Sequence, residues 1–272
     1  MRMVKGGLTR EESPGPINAP VTMFRQTDPM PSLTLSDRLI WFAHCPKAGG
    51  TSVEQFMVAT WGDRVSHLHW GWDIWWRDGG WRVADPPNSP QHLIWEDALP
   101  CLGQMPDAVF AVVREPAGRM ASEYRWQRRR RRGTRAGKAL AWLPFSLWLR
   151  VMLKVAARNP HAFDNHLRPQ ADFVPDGARI FRLEDGLQPV ADWLRQTAGI
   201  SGVARAIPHA ISTGVPRDIP ARDAALIARV FQPDYARFGY ARPSGPSRAV
   251  VLDWLATLIA PAVVFLDRRG RL

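Results

Sequence analysis

Seven consecutive residues, Pro46-Lys47-Ala48-Gly49-Gly50-Thr51-Ser52, combine the groups an anion site needs. Paired glycines let a backbone approach a ligand closely, and successive amides at the start of a helix point at it. Thr51 and Ser52 add hydroxyl donors, and Lys47 adds a full charge. The order differs from a Walker A loop, in which Gly is followed directly by Lys and then Ser or Thr. Here Lys47 precedes the glycine pair, which moves the cation along a phosphate chain and argues against a kinase or NTPase. A second cation, Arg114, ends the apolar run AVFAVV, and Ser122 follows eight residues later. A strand that apolar delivers its last residue to the carboxyl edge of a sheet, where ligands of α/β proteins bind.

The elements around these residues alternate. RLIWFAHC (38–45), bounded by Pro46, reads as a buried strand, and TSVEQFMVAT (51–60) as a helix opened by Thr51 and Ser52 with Glu54 in its first turn. The arrangement repeats as a strand over 108–113, a turn over 114–118 and a helix over 119–127. A third strand is expected at 178–183, with helices over 187–196 and 222–231. Buried strands alternating with helices predict an α/β fold with a mainly parallel central sheet. Residues 1–35 are rich in Pro, Gly, Ser and Thr without periodicity and read as a flexible lead-in. That leaves a domain over 36–242 and an apolar, basic helical tail over 243–272.

Composition narrows the classes. The 272 residues carry 36 basic and 25 acidic side chains, a net charge of +11. Only four of the basic residues are Lys, so the surface favours the bidentate contacts that Arg makes with phosphate, sulfate or carboxylate. Two cysteines, Cys45 and Cys101, exclude a disulfide scaffold and a Cys-only zinc cage. The N-terminus has no apolar run of signal-peptide length, which predicts a cytoplasmic protein. The nearest approach to a membrane span is 249–266, interrupted by Asp253 and Pro261.

The order Pro-Lys-x-Gly-Gly-Thr-Ser after a strand resembles the 5′-phosphosulfate loop of sulfotransferases that use 3′-phosphoadenosine 5′-phosphosulfate (PAPS). Arg114-Glu115-Pro116, then Arg119, then Ser122-Glu123-Tyr124, resembles that family's 3′-phosphate motif. Asp164-Asn165-His166-Leu167-Arg168-Pro169-Gln170 is similar to the Asp-x-His-x-x-x-Gln segment of the carbohydrate-type branch, and residues 231–240 to its closing helix. The resemblance runs from about residue 38 to 240. It implies a P-loop-like three-layer fold, PAPS as donor, and a saccharide or glycan hydroxyl as acceptor. It also implies that Lys47, Ala48, Gly49, Gly50, Thr51 and Ser52 hold the 5′ side, and Arg114 and Ser122 the 3′-phosphate. Glu115 stands where many relatives have Asp. The Asn of an Asn-x-Ser that closes over the donor is missing near 207–213, where Ser212 and Thr213 remain as contacts.

In such a reaction Lys47 would follow the charge that grows on the leaving phosphate, and no metal is required. A neutral His is the natural general base. His92, ahead of the second strand where relatives also carry a His, is the preferred one. Glu54 is the carboxylate alternative. His67 and His69 are candidates to line the acceptor cleft, His166 is an orienting or packing residue, and His44 points into the sheet. Six tryptophans between Trp61 and Trp81 would serve either as a sugar-stacking platform or as packing. Five consecutive arginines, Arg128 to Arg132, leave open a nucleic-acid patch, an anionic-glycan strip, a lipid contact or a solvated helix end. Residues 140–155 and 249–266 suggest either peripheral contact with a membrane, the inner one in a bacterium, or two helices packed on the core. The rivals to a sulfotransferase are a nucleotide-dependent phosphotransferase and a nucleic-acid-binding protein using the arginine run. The donor motifs speak against a nucleic-acid partner, and the oligomeric state is left open.

Overall fold

The structure, a computed structural model, describes residues 31–35, 37–66, 88–102, 104–130, 134–200, 206–207 and 219–269. The N-terminal segment before residue 31, His67, His69, Arg131, Arg132, Ser212, Thr213 and the five clustered tryptophans after Trp61 lie outside the described residues.

The strands are β1 (Ser32–Leu35), β2 (Arg38–Ala43), β3 (Val65–Ser66), β4 (Ala108–Val113) and β5 (Arg179–Arg182), ordered β3-β1-β2-β4-β5. β2, β4 and β5 run parallel, whereas β1 is antiparallel to both β2 and β3. The sheet is therefore mixed, with the expected parallel pairs β2–β4 and β4–β5 and one strand, β1, that opposes its neighbours. The physical reason is the two-residue link between β1 and β2, which admits only an antiparallel pairing. β1 itself falls within the stretch read as a flexible lead-in. Its four residues, SLTL, are too few to show a period beside so many prolines.

Alternate residues of β2 and β4 go to opposite faces, and both faces are buried. Ile40, Phe42, Phe110 and Val112 pack with Val53 and Met57 of helix α1 (Gly50–Trp61) and Val190 and Leu194 of a later helix. Leu39, Trp41, Ala43, Ala111 and Val113 pack with Leu93, Ala98 and Phe173. Burial on both sides is why these runs are continuously apolar rather than alternating.

The remaining helices are α2 (Trp95–Leu102), α3 (Pro116–Arg130), α4 (Arg135–Trp142), α5 (Phe145–Arg158), α6 (Gln188–Thr197), α7 (Ala221–Val230), α8 (Gln232–Phe238) and α9 (Val250–Arg268). A third core joins α3, α5, α7 and α9 through Met120, Trp148, Met152, Ile227 and Ala260. Arg150 of α5 ties it together, with Nη1 2.6 Å from Asp223 Oδ1 and Nε 3.1 Å from Asp253 Oδ1. The 140–155 stretch, read as either a membrane contact or a helix packed on the core, is broken at Leu143–Pro144. Its second half, α5, buries Trp148, Leu149, Val151 and Met152 in this core.

Candidate functional site

The three parallel strands end side by side, and three loops leave from the same edge. The loop after β2 reverses through Lys47 (φ 66°) and Gly49 (φ 91°), both left-handed, and α1 starts at Gly50. Gly49, rather than Thr51 or Ser52, occupies the cap position, and no side chain caps the helix. Glu54 lies beyond the first turn, so its expected favourable place near the helix dipole is corrected. Gly50 is required for space, because a Cβ there would lie 1.8 Å from His44 Nε2. The His44 ring stacks on Phe42 at 5.2 Å and is buried, as expected. A Cβ on Gly49 would press on Leu183 at 2.9 Å, from the loop after β5. Ala48, Gly50 and Ser52 are buried, and Lys47 and Thr51 are half-buried. Cys45 is buried too, and burial pushes its thiol pKa up, so it is no nucleophile at neutral pH.

Arg114 begins the loop after β4. Buried Gln170 clamps its backbone, accepting from Arg114 N and donating to Arg114 O, each at 2.8 Å. Asp234 in turn accepts from the backbone amides of Gln170 and Ala171 at 3.0 and 2.9 Å. The Arg114 guanidinium reaches the Lys47 carbonyl at 3.5 Å, so the two loops meet. Burial lowers its pKa while Glu184 and Glu115 oppose the shift, and an arginine stays charged throughout. Glu115 caps α3, accepting from Gly118 N at 2.6 Å, and Tyr235 donates to its other oxygen at 2.6 Å.

One face of α3 carries Ser122, Arg125, Trp126 and Arg129, spaced by three or four residues. Ser122 is buried. Arg125 has its pKa lowered by desolvation and then by the charges of Arg114 and Arg129. Its buried Nε and Nη2 have no hydrogen-bond partner among the described residues. A guanidinium with such donors, opposed by the charges of Arg114 and Arg129, is one that an anion would stabilise. Arg119, the other arginine of the turn, is fully buried and serves the fold by donating to the His166 and Arg168 carbonyls at 3.2 and 2.5 Å.

Beside these loops lie three histidines in ring contact. His92 stands 5.0 Å from His44 and 4.8 Å from His166, centroid to centroid. Trp126 links them to the loop, 4.9 Å from His166 and with the Lys47 ammonium 5.0 Å from its ring. His92 Nδ1 is 2.6 Å from Asp164 Oδ2, and Asp164 also accepts from Ser89 N. Asn165 donates to the His92 carbonyl at 2.8 Å. Phe163, Asp164 and Asn165 are all left-handed, with φ between 54° and 62°. Asp and Asn tolerate that region but Phe does not, so the segment stores strain to deliver Asp164 to His92. Burial would raise the Asp164 pKa, but the His92 ring, by charge and hydrogen bond, outweighs it and holds the carboxyl well below the usual range. His166 Nδ1 pairs with buried Glu123 Oε2 at 2.7 Å. There too burial is outweighed by the His166 ring, helped by Lys47, and Glu123 is held down at about 2.

Of the expected residues, Lys47 to Ser52, Arg114, Ser122 and His92 thus gather at one sheet edge or on α3 beside it. Ser212 lies outside the described residues. Glu54 is buried with its oxygens 3.0 Å from His44 Nδ1 and 3.0 and 3.1 Å from Gln91 Nε2, which makes it an anchor for His44 rather than an exposed base. Asp164, Arg125, Trp126 and Gln170 were not singled out from sequence. Asp164 and Gln170 had a signal in the segment that resembles Asp-x-His-x-x-x-Gln, and Arg125 and Trp126 in their helical spacing from Ser122.

His92, Asp164 and His166 bring ligand atoms within 4.8 Å of one another, a set that could approach a cation. Both Nδ1 atoms are already at hydrogen-bond distance from carboxylates, so the set reads as two His–carboxylate pairs. Comparison with protein-family models, with curated proteins and with solved structures finds no match for this chain.

Proposed function

We propose that this chain is a PAPS-dependent sulfotransferase of the carbohydrate type, built on a P-loop-like three-layer fold, that sulfates a hydroxyl of a saccharide or glycan-bearing acceptor. The observation that carries the reading is the meeting of the Lys47 and Arg114 loops, which follow neighbouring parallel strands. Arg114 touches the Lys47 carbonyl at 3.5 Å, and Arg125 has buried donors with no partner among the described residues. A nucleotide with a 5′-phosphosulfate and a separate 3′-phosphate is the ligand class that uses both.

The residues fit that group. Gly49, Gly50 and the α1 amides form the cradle for the 5′ side. Arg114, Ser122 and Arg125 hold the 3′-phosphate. PAPS, when bound, supplies the sulfuryl group and leaves as 3′-phosphoadenosine 5′-phosphate (PAP). Lys47 then neutralises the electron pair left on the 5′-phosphate oxygen as its bond to sulfur breaks. Asp164 accepts from His92 Nδ1, which fixes the tautomer with Nε2 free of its proton. His92 Nε2 takes the proton of the acceptor hydroxyl as the new O–S bond forms, and Asp164 stabilises the imidazolium. Positive charge for the transfer comes from Lys47 and Arg114, so the scheme needs no metal.

The test is PAP formation from PAPS in the presence of neutral and acidic saccharides. Acceptor-dependent PAP release that disappears in Lys47→Ala supports the reading. Acceptor-dependent release unaffected by Lys47→Ala contradicts it.

A further inference from the structure

We propose that the outer face of α9 seats the protein on an anionic lipid surface, an inference that does not depend on the sulfotransferase reading. The helix is 19 residues long, about 28 Å, and its mean hydropathy of 1.9 would by itself suit a membrane span. Its attachment says otherwise. Ala256, Ala260 and Val263, spaced by four and three residues, are buried in the core shared with α5. Near its start Asp253 pairs with Arg150 of α5 at 3.1 Å, and near its end Asp267 accepts from Phe163 N at 3.3 Å. A helix fastened to the body at both ends and along one stripe lies against the body and cannot be ringed by lipid.

The opposite face is apolar and uncovered. Val251, Trp254, Leu258 and Phe265 are 69%, 61%, 59% and 51% exposed. The one polar residue among them, Thr257, donates its hydroxyl to the Asp253 carbonyl of its own helix at 2.8 Å. Both acids of the helix, Asp253 and Asp267, have partners on the body, and by helical spacing neither lies on the outer stripe. The ends carry exposed Arg248, Arg268 and Arg269, with the Arg269 guanidinium 4.2 Å from the Phe265 ring. An apolar stripe with a tryptophan, no acid and arginine at either end complements an interface of acyl chains beneath negative headgroups. A second copy of this chain is the less suitable occupant, since it would bring another set of arginine ends and another net +11 against the first.

The experiment is co-sedimentation of the full chain with phosphatidylcholine vesicles and with vesicles rich in phosphatidylglycerol. The expected result is binding to the anionic vesicles only, weakened by salt and removed by alkaline carbonate. Leu258→Glu and, separately, Arg268→Glu/Arg269→Glu should each reduce partitioning at least about tenfold, with the circular dichroism spectrum and melting temperature retained. Failure to bind anionic vesicles overturns the proposal, as does binding that both variants retain. A dimer in light scattering that Leu258→Glu dissociates, without vesicle binding, assigns the face to a second copy. Resistance to carbonate extraction would make α9 a spanning helix instead.

Discussion

A histidine that takes a proton needs its second nitrogen occupied, and in this chain Asp164 occupies it for His92 at 2.6 Å. Asp164→Asn leaves the shape but removes the charge that, in the proposed reaction, stabilises the imidazolium. It should lower sulfuryl transfer by about a hundred- to ten-thousand-fold, as should His92→Ala, while PAP binding is retained. Steady-state turnover beside calorimetric binding of each variant checks both. Arg125 makes a different prediction. Its guanidinium is held against Arg114 and Arg129 and loses hydration without gaining a partner among the described residues. Arg125→Gln should therefore weaken PAP binding roughly tenfold or more, the worth of a charge-assisted hydrogen bond, without lowering the melting temperature of the free protein. A variant that melts earlier and binds PAP normally would make Arg125 a structural residue. Lys47 and Arg114 could be picked out in the sequence because one stands beside a glycine pair and the other at the end of an apolar run, whereas His92 was picked out through the family resemblance. Asp164 as the partner of His92 was not, because the contact joins residues 72 apart in the chain. No local period carries that information.

At the scale of elements, the loop between β2 and α1 is the part that sequence and structure describe alike, apart from its cap. Side-chain capping by Thr51 or Ser52 was the natural expectation from residue type, yet a left-handed Gly49 starts the helix instead. Gly50 is what lets α1 approach His44. Gly50→Ala would place a methyl 1.8 Å from the buried ring, so the expected cost is about 1–3 kcal/mol or more, read from urea denaturation. His44→Ala in the same chain should recover part of that loss, a coupling that only direct contact produces. β4 was legible residue for residue, since an apolar run over 108–113 admits little else. β1 and the break between α4 and α5 were not. A four-residue strand has too little pattern, and Pro144 stands inside a stretch whose apolar character continues on both sides. The strained 163–165 segment was also invisible, because its left-handed geometry is imposed by what Asp164 and Asn165 bind.

For the whole molecule, β2 and β4, parallel and buried on both faces, end where the Lys47 and Arg114 loops meet, and that α/β arrangement followed from the alternation of apolar runs and helices. The antiparallel β1, between β3 and β2, did not, because pairing direction is set by loop length rather than composition. The buried His166–Glu123 pair and the half-buried His92–Asp164 pair give the fold a pH signature. Glu123 and Asp164 have folded pKa values below their ordinary ones, so the unfolded chain binds more protons as pH falls. Their stabilisation is complete above the usual carboxylate range and is lost as pH falls from about 4.5 to about 2. His44, kept neutral by burial, adds to the loss below its usual 6.5. The urea midpoint should thus decline from pH 6.5 downward, and Glu123→Gln should flatten the part below 4.5. The account stands or falls on whether the joined loops bind a nucleotide with a 3′-phosphate. Calorimetric titration with PAP, beside ADP, AMP and ATP with Mg²⁺, decides it. Micromolar binding of PAP that requires the 3′-phosphate and drops sharply in Arg114→Ala is the predicted result. Preference for ATP with Mg²⁺, or no binding of any of the four, would contradict it.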